Sequence, residues 1–249
     1  MESRSVESGV ARATETSTLS SANTLFWRFG SPRIMVVGLM LAVAIRVALL
    51  GRAPVGRWDL AAIAIVAALI PFVEWFIHLV VLHATPRRIG SLTVDPGQGH
   101  REHHQQPASI DRVLLRGFDA ALFQAINAAV VVIVVGGPVW LFAGGEASSE
   151  PGSGWGPVLT GVIAAFLALF HYEWSHFLFH TAYRPKTRYY RRLKSNHRLH
   201  HWRNERYWLG ITTNLADRVL GTHPESRSAV PASPTVKTLG VDPEADHSR

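Results

Sequence analysis

The stretch "LAAIAIVAALIPFVEWFIHLVVL", residues 60–82, decides the fold of this chain. It is longer than the ~20 mostly apolar residues that a helix needs to cross a bilayer. Only Glu74 and His78 bring strongly polar side chains into it. Buried helices of soluble proteins are usually shorter and carry a polar stripe. We therefore predict that residues 60–82 form a membrane-spanning helix.

Three further apolar segments lie at residues 34–50, about 120–142 and 158–179. The last two are long enough to span a bilayer as helices. The first is short and carries Arg46, so it is the weakest candidate. The sequence thus predicts an all-α integral membrane protein with about four transmembrane helices.

The two ends of the chain differ in composition from this apolar middle part. Residues 1–33 begin with a polar, Ser/Thr-rich stretch that has no apolar core, and residues 224–249 are similar. Such composition is typical of disorder, and the N-terminus does not resemble a secretory signal peptide. We expect two disordered tails flanking one membrane-embedded domain at residues 34–223.

Charge sets the expected orientation. The net charge is +7, but the long apolar runs favour a membrane over a nucleic acid as the partner of the basic residues. Basic residues follow the second and fourth apolar segments: Arg87, Arg88, Arg101, Arg112, Arg116, and Arg184, Lys186, Arg188, Arg191, Arg192, Lys194. Residues 144–156 contain no lysine or arginine. The positive-inside rule predicts that both basic stretches and both termini are cytoplasmic, although Arg52 and Arg57 oppose this orientation.

Histidines are concentrated in two copies of one motif. The motif H-x-x-H-H occurs in "GQGHREHHQQP", residues 97–107, and in "SNHRLHHWRNE", residues 195–205. Residues three and four apart share one side of a helix, so each triplet would project from about one helical turn. The chain has no cysteine, which excludes thiolate metal sites, iron–sulfur clusters and disulfides.

Two histidine pairs stand at the ends of apolar segments. His176 and His180 are four residues apart and would share a helix face. His78 and His83 are five apart and would diverge by ~140° on a regular helix. We expect the helix to end between them, with Pro86 helping to end it.

These motifs predict a metal centre within a cytoplasmic, histidine-rich helical cap. Ten imidazoles are enough for two ions with about five nitrogens each, and imidazole suits iron, zinc, copper and nickel. Neighbouring arginines would keep the rings neutral. No role is expected for His171, His223 or His247. The predicted ligands are His78, His83, His100, His103, His104, His176, His180, His197, His200 and His201.

The pattern resembles the fatty acid hydroxylase/sterol desaturase superfamily. The spacings H-x4-H, H-x2-H-H, H-x3-H and H-x2-H-H follow the order found there. Further features are similar to the fatty acid 2-hydroxylase branch, and the likeness covers roughly residues 60–222. These features are Glu74, Glu173, Asn204, the run Gly210 to Thr213, Asp217, Gly221 and Thr222.

The resemblance implies a di-iron oxygenase that hydroxylates a lipid C–H bond with O₂, with the ten histidines as iron ligands. Zinc in purified protein would be compatible with this reading, because nitrogen sites bind zinc more tightly than iron(II). Some members carry a fused cytochrome b5 domain with an H-P-G-G motif, which this sequence lacks. We therefore expect a separate electron donor of the ferredoxin or cytochrome type.

Three alternatives remain open at this point. A carotenoid hydroxylase or a sterol hydroxylase/desaturase would use a similar histidine pattern. A histidine-rich metal transporter belongs to another class, but it would place its ligands near the bilayer midplane. The catalytic residues beyond the metal ligands, the substrate and the oligomeric state are not indicated by the sequence.

Overall fold

A computed structural model describes residues 2–142 and 154–241 of the chain. Most of these residues are helical, and four helices are long and apolar enough to cross a membrane. They are Gly30–Ala48, Arg57–Leu82, Gly117–Phe142 and Trp155–Phe179. The prediction of an all-α integral membrane protein with four spans is confirmed. Each span begins about three or four residues earlier than the apolar run that predicted it, because the first helical turn is more polar than the core of the span.

The helices follow one another along the chain as α1 to α10. Their bounds are α1 Glu2–Glu15, α2 Leu19–Phe26, α3 Gly30–Ala48, α4 Arg57–Phe76, α5 Gln98–Gln105, α6 Gly117–Val131, α7 Gly137–Phe142, α8 Trp155–Phe179, α9 Arg188–Trp202 and α10 Leu215–Val219. Two π-helical turns, Ile77–Leu82 and Val132–Gly136, continue α4 and join α6 to α7. Short 3₁₀ turns lie at Ile110–Arg112 and Arg227–Ala229. A two-stranded antiparallel hairpin, β1 Arg87–Ile89 and β2 Leu92–Val94, was not predicted.

The chain divides into two compact units. One unit contains residues 29–70 and 116–173, and its core consists of alanine and valine side chains together with one phenylalanine. Such residues let helices approach closely where lipid provides no hydrophobic drive for association. Gly38 is an example of such close approach between α3 and α6, since a Cβ at this position would lie 2.6 Å from the Gln124 side chain. The core residues are Ala42, Ala62, Val66, Val131, Val135, Val139, Val158, Val162, Ala165 and Phe166.

Arg46 does not prevent α3 from spanning, because its charge is neutralised inside this unit. Its guanidinium donates to Asp59 Oδ1 at 2.9 Å, to the Ala53 carbonyl at 2.8 Å and to Thr160 Oγ1 at 3.0 Å. Arg46 and Asp59 are both buried. A buried charge is tolerated when it is paired and fully hydrogen-bonded.

The other unit contains residues 1–28, 71–115 and 174–249. Here the structure differs from the expected disorder at the N-terminus, since α1 and α2 are helical. Thr18 and Ser21 form a capping box at the start of α2. Phe26 at its end packs against the rings of Trp174 and Phe177, with centroid distances of 4.9 Å and 5.3 Å. A few apolar side chains close to the first span thus order a stretch whose average composition is polar.

Residues 224–241 also differ from the expected disordered tail, because they contact the rest of this unit. Their backbone accepts hydrogen bonds from Arg203, Asn204 and His104. Residues 143–153 and 242–249, which include part of the arginine-free loop and His247, lie outside the described residues.

Candidate metal centre

His78 and His83 lie on one side of the second span because its last turn is π-helical. The hydrogen bonds of a π-helix reach five residues along the chain instead of four, so residues five apart come together. The two ring centroids are 5.2 Å apart. The helix therefore widens after His78 and ends at Leu82, so it ends between the two histidines as predicted, and the π-helical form of this turn is the feature that was not predicted. π-Helical turns inside α-helices are frequent at functional sites.

The second pair follows ordinary helix geometry. His176 lies in the last turn of α8 and His180 directly after its end, and their ring centroids are 5.0 Å apart. Both triplets lie on short amphipathic helices, as predicted. His100, His103 and His104 are on α5, and His197, His200 and His201 are on α9.

These four segments bring all ten predicted histidines together as two sets. Within each set, one ring nitrogen per residue lies within 4.8 Å of all the others. This is close to the ~4.2 Å that separates two nitrogens on opposite sides of one ion, at ~2.1 Å per metal–nitrogen bond. The first histidine group is His78, His83, His100, His104 and His200. The second histidine group is His103, His176, His180, His197 and His201.

Each triplet contributes to both groups, which the sequence argument did not foresee. Adjacent helical residues point ~100° apart, so the three rings of an H-x-x-H-H triplet fan out. His100 and His104 enter the first group, while His103 enters the second. The α9 triplet reverses this division, since only His200 joins the first group. The two groups are consequently adjacent, with the centroids of the His104 and His201 rings 4.2 Å apart.

Backbone carbonyls orient four of the ten rings. Nδ1 of His78 lies 2.7 Å from the Leu209 oxygen, and Nδ1 of His180 lies 2.7 Å from the Pro107 oxygen. In the same way, Nδ1 of His104 is 2.9 Å from the Val236 oxygen, and Nδ1 of His200 is 3.0 Å from the Tyr207 oxygen. Since a carbonyl only accepts, each Nδ1 carries the hydrogen and each Nε2 is left as an electron-pair donor. This is the usual outer support of a metal-binding histidine.

The arrangement of His104 and His200 fits a cation in the first group. Their Nε2 atoms are 3.1 Å apart, and both Nδ1 atoms are already committed as donors. In neutral rings, two lone pairs would therefore face each other at hydrogen-bond distance. That contact is repulsive unless a positive charge lies between or beside the two nitrogens. A donor set of buried, neutral imidazoles without carboxylates or thiolates suits iron, zinc, copper or nickel.

Burial keeps the rings unprotonated. It is the largest cause that lowers the pKa of His100, His103 and His197 well below the usual value, and neighbouring imidazoles lower it further. Burial also lowers the pKa of His180 to about 4, although the Pro107 carbonyl acts in the opposite direction. Nearby arginines are the cause that the sequence predicts. The structure assigns it to desolvation instead, because the rings are packed against one another in the interior.

These pKa values predict acid sensitivity. A histidine with a folded-state pKa near 4 stays neutral, whereas the same side chain in the unfolded chain has a pKa near 6.5. The unfolded chain thus binds more protons below pH ~6.5, so stability is complete above that pH and falls as the pH drops towards 4. His180 alone would cost ~3 kcal/mol by pH 4. Thermal unfolding of chelator-treated, detergent-solubilised protein should show a flat melting temperature above pH ~7 and a steep decline below pH ~6.5. A melting temperature that is constant down to pH 4 would contradict the burial of neutral rings.

Two carboxylates hold the loop that supplies the Leu209 carbonyl. Glu74 accepts hydrogen bonds from the backbone of Ile211 and Thr212 and from the Thr212 hydroxyl, the last at 2.5 Å. Asp217 accepts from the backbone of Leu209 at 3.0 Å and Gly210 at 2.8 Å. Glu74 and Asp217 thus fix the loop on either side of Leu209. This holds the Leu209 oxygen at hydrogen-bond distance from His78.

These acids explain much of the sequence resemblance beyond the histidines. Asp217 also accepts from the Thr222 hydroxyl at 2.6 Å, which accounts for the threonine at the end of the matching region. Gly210 leaves room for the loop to fold back, since a Cβ there would overlap the Thr213 carbonyl oxygen. Glu173 is buried at the end of α8. The sequence did not predict the roles of Leu209, Tyr207, Pro107 and Val236, since a backbone carbonyl carries no residue-type signal.

Two further histidines of the described residues, His171 and His223, lie outside both groups. His171 is on α8, nine residues before His180. His223 Nε2 lies 3.4 Å from Asn196 Nδ2 and belongs to neither group. No role was predicted for these two residues.

Comparison with known proteins identifies the chain. The family model described as fatty acid hydroxylase matches residues 63–222, which is well over half of the sequence. The chain belongs to the fatty acid hydroxylase family. The match contains all ten grouped histidines and the loop from Leu209 to Thr222. No curated protein and no solved structure gives a match.

Membership of the fatty acid hydroxylase family makes this protein a membrane-embedded oxygenase of the hydroxylase/desaturase type that acts on lipid. The two histidine groups are compatible with the metal dependence of such enzymes. The family favours the enzyme over the metal transporter that the sequence alone left open. It does not distinguish the 2-hydroxylase branch from the rest of the family.

Proposed function

We propose that this protein is a di-iron monooxygenase that hydroxylates a fatty acyl chain. The observation that supports this most strongly is the pair of adjacent five-histidine groups inside a family of lipid hydroxylases. One iron ion would bind in each group, and together the two would activate O₂. In the overall reaction, a C–H bond becomes C–OH and the second oxygen atom leaves as water. Two electrons and two protons are therefore consumed per turnover.

The chain's own residues have three tasks in this reaction. The imidazoles hold the ions through neutral nitrogens, and the carbonyls of Leu209, Tyr207, Val236 and Pro107 fix the direction of those nitrogens. Most of the rings are buried, which limits the access of bulk water and protects a reactive centre from side reactions. The groups lie at and beyond the carboxyl ends of the second and fourth spans, so an acyl chain could reach them from the lipid.

The electrons come, in this proposal, from a separate acidic donor such as a ferredoxin or a cytochrome. The outer side of α9 exposes Arg188, Arg192 and Arg198, while its inner side carries second-group ligands. A cavity of about 260 Å³ borders His180, His197 and His201 and is also lined by Lys194 and Arg198. Positive charge at this position would attract an acidic protein and bring its redox centre within one helix diameter of the ligands.

We also propose that the histidine groups and both termini face the cytoplasm. Basic residues follow the second and fourth spans, where the positive-inside rule places cytoplasmic segments. A soluble reductant would reach the centre from that side. Labelling of single cysteines introduced at Arg192 and Arg52 with a membrane-impermeant reagent tests this orientation, because the two positions should label from opposite sides.

The test of the proposed activity is a lipid comparison with isotopic oxygen. Cells with the protein, with an inactive His180→Ala variant and without the protein are grown under ¹⁸O₂, and their lipids are analysed by mass spectrometry. We expect acyl species that gain one ¹⁸O atom only with the natural chain, most simply at the carbon next to the carboxyl group. Oxygenated sterols or carotenoids would redirect the substrate assignment within the family. The absence of any oxygenated lipid would contradict the proposal.

A further inference from the structure

The segment that follows the family match supplies a hydrogen-bond partner to one residue of the first histidine group. Residues 230–239, here called the C-terminal strap, lie beyond the matched residues 63–222. The Val236 carbonyl oxygen of the strap lies 2.9 Å from His104 Nδ1. The strap is more than 100 residues from His104 in sequence, and in composition it belongs to a polar tail. Its contact with a buried imidazole therefore requires specific anchors.

The first anchors come from the residues directly after the second triplet. Arg203 Nε donates to the Val230 oxygen at 2.6 Å, and the Arg203 oxygen accepts from the Ser233 backbone at 2.7 Å. Asn204 Nδ2 donates to the Pro231 oxygen at 3.2 Å. These bonds join the end of α9 to the start of the strap.

Glu205 fixes the middle of the strap. Its Oε1 atom accepts from Ser233 Oγ at 3.0 Å and from Thr235 Oγ1 at 2.7 Å. Glu205 is buried, so the two hydroxyls replace water as its hydrogen-bond donors. One residue beyond Val236, Lys237 Nζ lies 3.6 Å from the centroid of the Trp202 ring. The Val236 carbonyl is thus held between two fixed points.

We propose that the strap is a positioning element of the first metal site, with Glu205, Ser233 and Thr235 as positioning residues that act through His104. This inference rests on the proposed metal centre. The Val236 carbonyl keeps hydrogen on His104 Nδ1, which leaves Nε2 as the electron-pair donor. Without the carbonyl, the ring could rotate or change tautomer. Outer partners of this kind typically change metal affinity 10–100-fold when they are removed.

A loss of strap contacts should lower the affinity for the ion in the first histidine group and not for the other ion. Four backbone carbonyls contact ligand rings in the hydrogen bonds given above for the described residues, and of these four the one on His104 belongs to the strap. His78 and His200 depend on Leu209 and Tyr207, and His180 in the second group depends on Pro107. A loosened strap should therefore weaken metal binding in the first group and leave the second group nearly unchanged.

The test uses the full chain and the double variant Ser233→Ala/Thr235→Val, which removes both hydroxyls without adding charge. Purified protein in detergent is stripped with a chelator and titrated anaerobically with Fe²⁺ alone. We expect two ions to bind the natural chain. In the variant, one of them should bind about 10–100-fold more weakly. The matched control is Ser226→Ala/Ser228→Ala, since these two exposed hydroxyls contact each other outside the strap.

A second measurement reports the strap directly. Trypsin can cleave after Lys237, and this cut should be slow in the natural chain, faster in the double variant and slowed again by Fe²⁺. The last effect follows because strap closure and metal binding stabilise each other. Glu205→Ala should behave like the double variant, whereas Glu205→Gln, which keeps an acceptor oxygen, should be milder.

Three results would contradict either the role of the strap or the proposed metal centre. If the variants speed the cut after Lys237 but bind both ions as tightly as the natural chain, the strap does not position His104. If neither variant changes the cut, Glu205 does not anchor the strap, and the inference also fails. If the natural chain binds no metal, the proposed function fails first, and this result is distinguishable because it appears without any substitution.

Discussion

Replacement of His200 by alanine should reduce the hydroxylated lipid product more than about 100-fold, because loss of a ligand exceeds the 10–100-fold effect of losing its outer partner. The His200 side chain is buried in the first group, with Nε2 3.1 Å from His104 Nε2 and Nδ1 3.0 Å from the Tyr207 oxygen. Alanine removes one of five nitrogens and leaves that carbonyl unpaired. We expect the protein to remain in the membrane, because the substitution leaves the apolar length of all four spans unchanged.

The matched control for this prediction is His171→Ala. His171 is also a histidine of a helical segment, but it lies outside both groups. It should retain nearly full activity, while His180→Ala in the second group should be as inactive as His200→Ala. Product is measured by mass spectrometry, and membrane content by immunoblotting of membrane fractions. Full activity of His200→Ala would show that the ligand assignment is wrong.

The second large effect is expected at Glu74, which lies outside both histidine groups. Alanine there leaves the Ile211 and Thr212 backbone N–H groups and the Thr212 hydroxyl without their acceptor. An unsatisfied buried donor costs ~1–3 kcal/mol, so the loop should shift rather than stay in place. The Leu209 oxygen would then withdraw from His78, which it contacts at 2.7 Å. We expect 10–100-fold weaker metal binding in the first group and a similar loss of product.

Conservative and neutral variants separate this effect from a general loss of stability. Glu74→Gln keeps one acceptor oxygen and should lose less metal affinity and product than Glu74→Ala. Glu15→Ala removes an exposed acid and should change neither. Metal affinity and thermal unfolding are measured on the same preparations. If Glu74→Ala melts at a lower temperature but binds both ions normally, the loop does not orient His78.

The sequence predicts the spans and the ligands because their signals are local. A run such as residues 60–82 shows its apolar length directly, and each histidine triplet shows helix spacing. The π-helical turn that brings His83 beside His78 has no such local signal. It depends on how α4 packs and not on a particular residue type. In the same way, the exchange of His103 and His200 between the groups depends on how α5 and α9 are oriented.

The sequence also cannot show interactions made by backbone atoms. The carbonyls that orient His78, His104, His180 and His200 belong to residues of no special type. The N-terminal helices and the C-terminal strap were predicted to be disordered on the basis of their polar composition. Average composition does not report the few specific contacts that order them. Phe26 against Trp174 and Thr235 against Glu205 are two of these contacts.

The measurement that tests the central claim most directly is the metal content of the purified chain. Protein isolated without chelators is analysed for metal by mass spectrometry and for protein by amino-acid analysis. Two ions per chain are predicted for the natural protein and for His171→Ala, and about one for His200→Ala and for His180→Ala. A natural chain with one ion or none after incubation with Fe²⁺ would contradict a centre built from two five-histidine groups.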